Sequence, residues 1–291
     1  MGDVTICICT FRRESIAATL RSIAEATAYA PVPVVVIDND DHNGARDRIL
    51  AAAAAAKVAA TYVHAPARNI SIARNAALDA VETRWAAFID DDEIAEPAWL
   101  CALLLMRDRG EAIIGQSRAL YDPGVPAWNA ACDFHSNRLE GRADNAYTSN
   151  ALIDVDFVRR HDLRFRLDLG QTGGEDTLFF RAFSEAGGRI LYQPDSVVVE
   201  PVSTARATMR WALRRRFRAG QTHGLVLQQF DRKAYRILLV TAAAKCVFSL
   251  IAAAATVPGT TASRKWLARS ALHAGSVSYR LYPRIVREYA S

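Results

Sequence analysis

Residues 88–97 read FIDDDEIAEP, and the junction between Ile89 and Asp90 decides how the rest of the chain is read. Ala86-Ala87-Phe88-Ile89 has the length and composition of a buried strand. Asp90, Asp91, Asp92 and Glu93 follow with no spacer. Four adjacent carboxylates repel one another, so keeping them together calls for a cation or for a helix N-terminus that uses them.

Working outward from this stretch, the same pattern recurs. Residues 4–9, 32–37 and 61–63 are further short apolar runs rich in β-branched side chains. Residues 14–28, the alanine-rich 44–60 and 72–81 have helical spacing or composition. Strands alternating with helices predict an α/β fold with a mostly parallel central sheet covered by helices on both faces. Each strand runs into a polar cluster: Thr10–Arg13, Asp38–Asp41, residues 64–69 and Asp90–Glu93. Open α/β sheets bind ligands at the carboxyl ends of their strands, so all four clusters belong to one predicted crevice. Neither G-x-G-x-x-G nor G-x-x-x-x-G-K-[ST] occurs after the first strand. Phosphates bound here would need a metal and side-chain cations to neutralise them. Three consecutive aspartates suit Mg²⁺ or Mn²⁺, which take one or two carboxylates and leave other positions to phosphate and water. The same residues, with Glu93, Glu96 and Pro97, would also suit the first turn of a helix, and the residues alone leave both readings open.

The chain has 291 residues, 51% apolar and 23% charged, enough for one large core or a domain with an appendage. Its five cysteines have no paired or metal-type spacing, which predicts a reducing compartment, and MGDVTICICT has no signal-peptide pattern. Residues 201–291 hold 16 Lys/Arg and 2 Asp/Glu, whereas residues 1–200 hold 20 and 29. A basic tail on an acidic body predicts an anionic surface or polyanionic partner for the tail. Residues 237–257 form an apolar run interrupted by Lys245. Their length permits a membrane span, but the central lysine and many alanines favour an interfacial or partly inserted helix. Arg264, Lys265, Arg269, Arg280, Arg284 and Arg287 would then meet anionic headgroups. A soluble helix packed on the body or in a homodimer is the alternative, and Trp266, Tyr279, Tyr282 and Tyr289 suit either interface.

Seven stretches in order carry a family resemblance: ICICTFRR (6–13), VVVIDND (34–40), RNISIARNAAL (68–78), FIDDDEIAEP (88–97), GGEDTLFFRA (173–182), YQPDSVVVEP (192–201) and RRRFRAGQTHG (214–224). On these, residues 4–220 resemble a family 2 glycosyltransferase of the GT-A fold, most similar to bacterial exopolysaccharide transferases of the succinoglycan-biosynthesis type. The resemblance implies a catalytic domain over 1–224 and a basic, apolar helical region over 225–291. It implies that Thr10, Arg13, Asp38, Arg68, Arg74 and Asn75 surround a nucleoside diphosphate sugar. Asp90 would face the ribose or sugar and Asp92 the metal, with Asp91 able to share either role. Asp176 becomes the general base that takes the acceptor hydroxyl's proton, with Glu175 beside it. Glu200 stands where the family often has a metal- or diphosphate-binding histidine, and is a candidate third ligand with Asp90 and Asp92. Arg216, in the run Arg214-Arg215-Arg216 with Arg218, suits a diphosphate. Trp128, Asp133, His135 and Asn150 lie in the expected acceptor region, 115–172. The implied activity is metal-dependent, inverting transfer from a nucleoside diphosphate sugar, with a UDP-sugar as the expected donor, to a glycan or lipid-linked glycan, at the cytoplasmic face of a bacterial plasma membrane. A nucleotidyltransferase is the rival on a similar sheet, but TFRR lacks its usual glycine-rich loop. A non-catalytic glycan-binding protein would not need the acidic constellation. Nucleic acid is excluded as partner by the acidic crevice and the lack of aromatic platforms among the arginines.

Overall fold

A computed structural model describes residues 2–139 and 146–286; Arg287 and Tyr289 lie outside the described residues. The chain divides into two units. The first comprises residues 1–118, 136–171 and 175–200, and the second residues 119–135, 172–174 and 201–291.

The first unit is built on the strands expected from sequence. β1 (Val4–Thr10), β2 (Val34–Asp38), β3 (Ala60–His64) and β4 (Trp85–Ile89) pair in parallel in the order β3-β2-β1-β4. The sheet continues through β7 (Asn150–Asp154), β6 (Ala112–Tyr121), β8 (Ile190–Val202) and the short β5 (Ile94–Ala95). β7 is antiparallel to both β4 and β6, so the sheet is mixed beyond its parallel half. Residues 112–121 and 150–154 are therefore regular elements within a region whose sequence reads as irregular.

Alternation along the strands sorts the core into two layers, because successive side chains point to opposite faces. Ile6, Ile8, Val34, Val36, Trp85, Ala87 and Ile89 pack with α1 (Ile16–Ala26), α2 (Arg46–Ala55) and α4 (Trp99–Leu104). Cys7, Val35, Ile37, Ala86 and Phe88 pack on the other face with α3 (Ile70–Ala80), α6 (Val155–Arg160) and α7 (Glu175–Glu185). Burial on both faces explains why these strands are almost wholly apolar. Burying one such side chain stabilises by roughly 1.5–3 kcal/mol. The core thus pins each strand end, and with it the polar cluster that follows.

The second unit holds α5 (Trp128–Cys132), α8 (Met209–Phe230), α9 (Arg232–Ala255) and α10 (Thr261–Leu281). The expected boundary between residues 224 and 225 falls inside the 22-residue α8. Gly220 and Gly224 do not end this helix; they are points of close approach. A Cβ at Gly220 would overlap the Leu272 carbonyl of α10, and one at Gly275 would overlap the Phe217 carbonyl of α8. A Cβ at Gly224 would meet the Tyr279 ring. Tyr279 is buried and donates to Gln228 Oε1 at 2.8 Å, so it braces α10 on α8 instead of meeting a membrane. Of the described helices, α9 alone is long and apolar enough to cross a membrane. Its Ile237, Val240, Val247, Phe248 and Ile251 are exposed, whereas Leu238, Ala242, Ser249 and Ala253 are buried. At 100° per residue the exposed set forms one stripe, with the exposed Lys245 at its margin.

Candidate active site

The acidic run leaves β4 in a turn that gives its carboxylates different tasks. Asp91 points inward and is 7% exposed. It accepts a hydrogen bond from Thr10 Oγ1 at 2.6 Å, and its carbonyl accepts one from Thr19 Oγ1 at 3.1 Å. Asp91 thus ties the acidic turn to the end of β1 and to α1. Thr10, expected against the nucleotide, is buried and committed to that bond. Glu93 is also buried; it accepts from Ser117 Oγ at 2.7 Å and from the Asp90 backbone N–H at 3.1 Å, closing the turn on itself. The two half-buried carboxylates on either side of Asp91 are Asp90 and Asp92.

Arg74 connects this turn to the helix carrying the expected base. It lies on α3, its side chain only 9% exposed, and forms an ion pair with Glu175 in the first turn of α7. Its guanidinium sits over the Phe165 ring, 5.6 Å from the centroid. Burial opposes its charge, while Glu175, Asp176, Asp90 and Cys9 favour it, and its pKa ends above the ordinary arginine value. One buried cation is therefore within electrostatic reach of Asp90 and of both Glu175 and Asp176. Glu175 is consumed by this pair and Asp176, half-buried, is the more accessible of the two.

Burial and crowding act on the acids as the sequence suggests. Asp90 is pushed up to about 7, chiefly by burial, with Asp92, Asp91 and Glu200 raising it and Arg74 lowering it. Asp91 rises to about 6 through burial, against the Thr10 hydrogen bond and Arg13. Glu93 rises well above the carboxylate range because it is buried beside Asp90 and Glu200. Arg13, from the loop after β1, offsets part of this charge: it lies 2.6 Å from Asp92 and 3.7 Å from Asp91.

Other expected contacts are spent on the scaffold. Asp38 is fully buried and accepts from Tyr62 Oη at 2.7 Å and from the Asp40 N–H at 3.1 Å, so it holds β2 to β3. Asn75 bonds the Phe165 backbone through both its amide groups, at 2.9 Å each, fixing the chain ahead of α7. Arg68 pairs with Asp41 at 2.6 Å and is exposed at the crevice end of the sheet. Asn150 is saturated by Trp99, Ser196 and Gln116. Arg216, Trp128, Asp133 and His135 all belong to the second unit. Among the described residues no three His, Cys, Asp or Glu side chains converge to hold a metal ion. Glu200 is buried near Asp90 and Glu93 and does not complete a three-carboxylate site with Asp90 and Asp92.

Sequence reading passed over the residues that cross-brace these loops. Asn39 donates to the Ala65 carbonyl at 2.6 Å and accepts from the Asn69 N–H. Asn69 caps α3, accepting from Ser71 and Ile72, and donates to the Leu167 carbonyl at 2.8 Å. Arg12 grips Asp40 through two bonds of 2.7 and 2.8 Å. An asparagine immediately before an apolar-periodic segment was the available signal for the cap.

Comparison with known proteins places this geometry. The model described as "Glycosyl transferase family 2" matches residues 5–161. The chain is 39% identical to the succinoglycan biosynthesis protein ExoM of Rhizobium meliloti (strain 1021), over 99% of this chain and 96% of that protein. Among solved structures it is similar to a mannosyltransferase of Pyrobaculum calidifontis held with GDP-Man and Mn²⁺ (TM-score 0.63, 19% identity, 97% of this chain and 88% of that one). It is also similar to residues 1–349 of S. aureus TarS with UDP-GlcNAc (TM-score 0.56, 14% identity, covering 97% and 92%).

Proposed function

Because the chain belongs to glycosyl transferase family 2, a family that moves sugar from a nucleoside diphosphate donor, we propose that it is a metal-dependent, inverting transferase acting on a glycan or lipid-linked glycan in surface-polysaccharide synthesis. The observation that carries this reading is Arg74, whose buried guanidinium serves Asp90 on one side and the Glu175–Asp176 helix start on the other. Arg74 is thus paired with the base helix while acting electrostatically on the acidic turn.

Asp90 and Asp92 are the residues that would hold Mg²⁺ or Mn²⁺. The donor set fits: both are hard oxygen ligands, and burial, with repulsion from Asp92 and Asp91 added, has already raised Asp90 to about 7, a penalty that a cation relieves. Two carboxylates suffice where substrate phosphates complete the shell. When bound, the ion would stabilise negative charge on the departing diphosphate. Asp176 would accept the acceptor hydroxyl's proton as that oxygen attacks the anomeric carbon, a contribution of roughly 10²–10⁴-fold. Glu175 acts through Arg74 as a positioning residue. Arg13 and Arg68, exposed at the same strand ends, would pair with the donor phosphates. Attack opposite the leaving group in one step inverts the anomeric configuration. UDP is the proposed nucleotide, by resemblance.

The α9 stripe, flanked by the basic tail, would lie on the anionic cytoplasmic face of the plasma membrane. A membrane-apposed region of 225–291 beside a catalytic 1–224 is the proposed division of labour. Measuring UDP-sugar turnover with Mn²⁺, with excess chelator, and in Asp176→Asn tests the proposal. Full turnover in that variant with a verified acceptor would sink it, as would turnover indifferent to chelation.

A further inference from the structure

The second unit carries a cluster that the reaction scheme leaves unused. Around the ring of Trp211, near the start of α8, His135 stacks at 4.4 Å between centroids with planes 13° apart. Arg206 and Arg215 lie over the same ring at 5.1 and 5.2 Å. Arg216 sits 5.8 Å above Phe134, and Arg264 of α10 4.9 Å above Trp128. Trp128, Phe134 and Trp211 belong to one small apolar cluster with Cys132, Ala212 and Ala268. Four guanidiniums are thus half-buried on one aromatic platform.

Their charges press on one another. Burial and the adjacent Arg215 lower the pKa of Arg216, which has no acidic partner among the described residues. Burial, Arg206 and Arg215 lower that of His135. Its ring nitrogens meet the Arg206 carbonyl and Tyr121 Oη, each at 3.0 Å, so a neutral imidazole satisfies both. Asp133 is the acid that acts on His135. The unit as a whole has 16 Lys/Arg against 4 Asp/Glu. A planar guanidinium carries its N–H donors in a fixed fork, the geometry that takes two oxygens of one oxyanion. Arginines held this way are preorganised for a compact anion with several oxygens.

We propose that this cluster binds a phosphate or diphosphate group, with Arg216 as its central donor and Arg206, Arg215 and Arg264 around it. The anion is the diphosphate that joins a lipid to its glycan; the exposed apolar stripe of α9 in the same unit accounts for the lipid. Naming the acceptor as its source rests on the transferase reading above, whereas the anion site itself does not.

The test titrates inorganic pyrophosphate into the full chain at low salt by calorimetry, with wild type, Arg216→Gln, Arg216→Lys and, as a control for lost charge, the exposed Arg210→Gln. Arg216→Gln should weaken pyrophosphate binding tenfold or more, Arg216→Lys by less, and Arg210→Gln hardly at all. Unchanged circular dichroism and melting temperature show that the variants fold; if Arg216→Gln does not, Arg216→Lys carries the comparison. A second arm sediments the proteins with phosphatidylcholine vesicles containing either a polyprenyl diphosphate or phosphatidylglycerol. Selective loss of the polyprenyl diphosphate vesicles in Arg216→Gln supports the acceptor source. Equal loss on phosphatidylglycerol would mean a general headgroup contact and overturn that source, as would a parallel fall in UDP affinity, which would assign the arginines to the donor. Wild-type pyrophosphate affinity in Arg216→Gln would overturn the site. UDP-sugar turnover in the same samples separates failure of this site from failure of the transferase reading.

Discussion

Replacing Asp90 by asparagine should make the metal-free protein more stable, and more so at higher pH. Asp90 sits at about 7 in the folded chain because it is buried among Asp91, Asp92 and Glu200. In the unfolded chain it returns to about 3.9. A carboxyl whose folded pKa is raised contributes no penalty below its unfolded value, and an increasing one as pH climbs towards its folded value. Each unit of difference is worth about 1.4 kcal/mol. Relative to a group that never ionises, Asp90 therefore costs about 1.5 kcal/mol at pH 5, where it is ionised only when unfolded, and about 4 kcal/mol at pH 8. The amide also removes a charge that helps raise Glu93, a pH-dependent change of the same sign. Urea unfolding in chelator should show the advantage of Asp90→Asn growing by about 2–3 kcal/mol from pH 5 to pH 8. Added Mn²⁺ should stabilise wild type and not the variant, and turnover should be lost. An advantage that stays flat or shrinks with pH would refute the claim that this carboxylate is held charged against its surroundings.

Arg74→Ala leaves Glu175 buried without its cation and should cost about 3–5 kcal/mol in urea unfolding, whereas Arg74→Met with Glu175→Leu should recover most of it. Asn69→Ala removes the α3 cap and should cost about 1 kcal/mol, with a rise in KM as the loops it braces loosen. Gly275→Ala forces a Cβ into the Phe217 carbonyl and should destabilise by roughly 1–3 kcal/mol or more, read as a lower melting temperature. Val240→Asp with Phe248→Asp places charge in the exposed α9 stripe; sedimentation with anionic vesicles should fall at least tenfold while helicity is kept.

What could be read from the sequence was set by local physics. Apolar runs ending in polar clusters located β1, β2 and β4, because burial on both faces leaves few ways to write such a strand, and the half-exposed edge strand β3 as well. The acidic triplet and the Gly-Gly-Glu-Asp turn were visible for the same reason. What each side chain does there was not, because it depends on partners distant in sequence. Asp38 looks free until Tyr62 approaches it from the neighbouring strand. Asn75 looks like a ligand until the chain 90 residues on brings Phe165 to it. Within the acidic run, Thr10, 81 residues from Asp91, gives the middle aspartate an inward partner that no local pattern announces. Residues 112–121 form a strand in which Gly115 is a point of close approach, since an added Cβ would strike Asn150 and the Ser196 carbonyl. Gly224 is likewise a point of close approach inside α8, small so that Tyr279 can reach Gln228. In each case a polar or glycine residue carried the ambiguity, since such residues serve a backbone, a neighbouring side chain or a ligand equally well. Candidate ligand contacts are therefore best sought among the polar groups the fold leaves half-buried: Asp90, Asp92, Asp176 and the stacked guanidinium of Arg216.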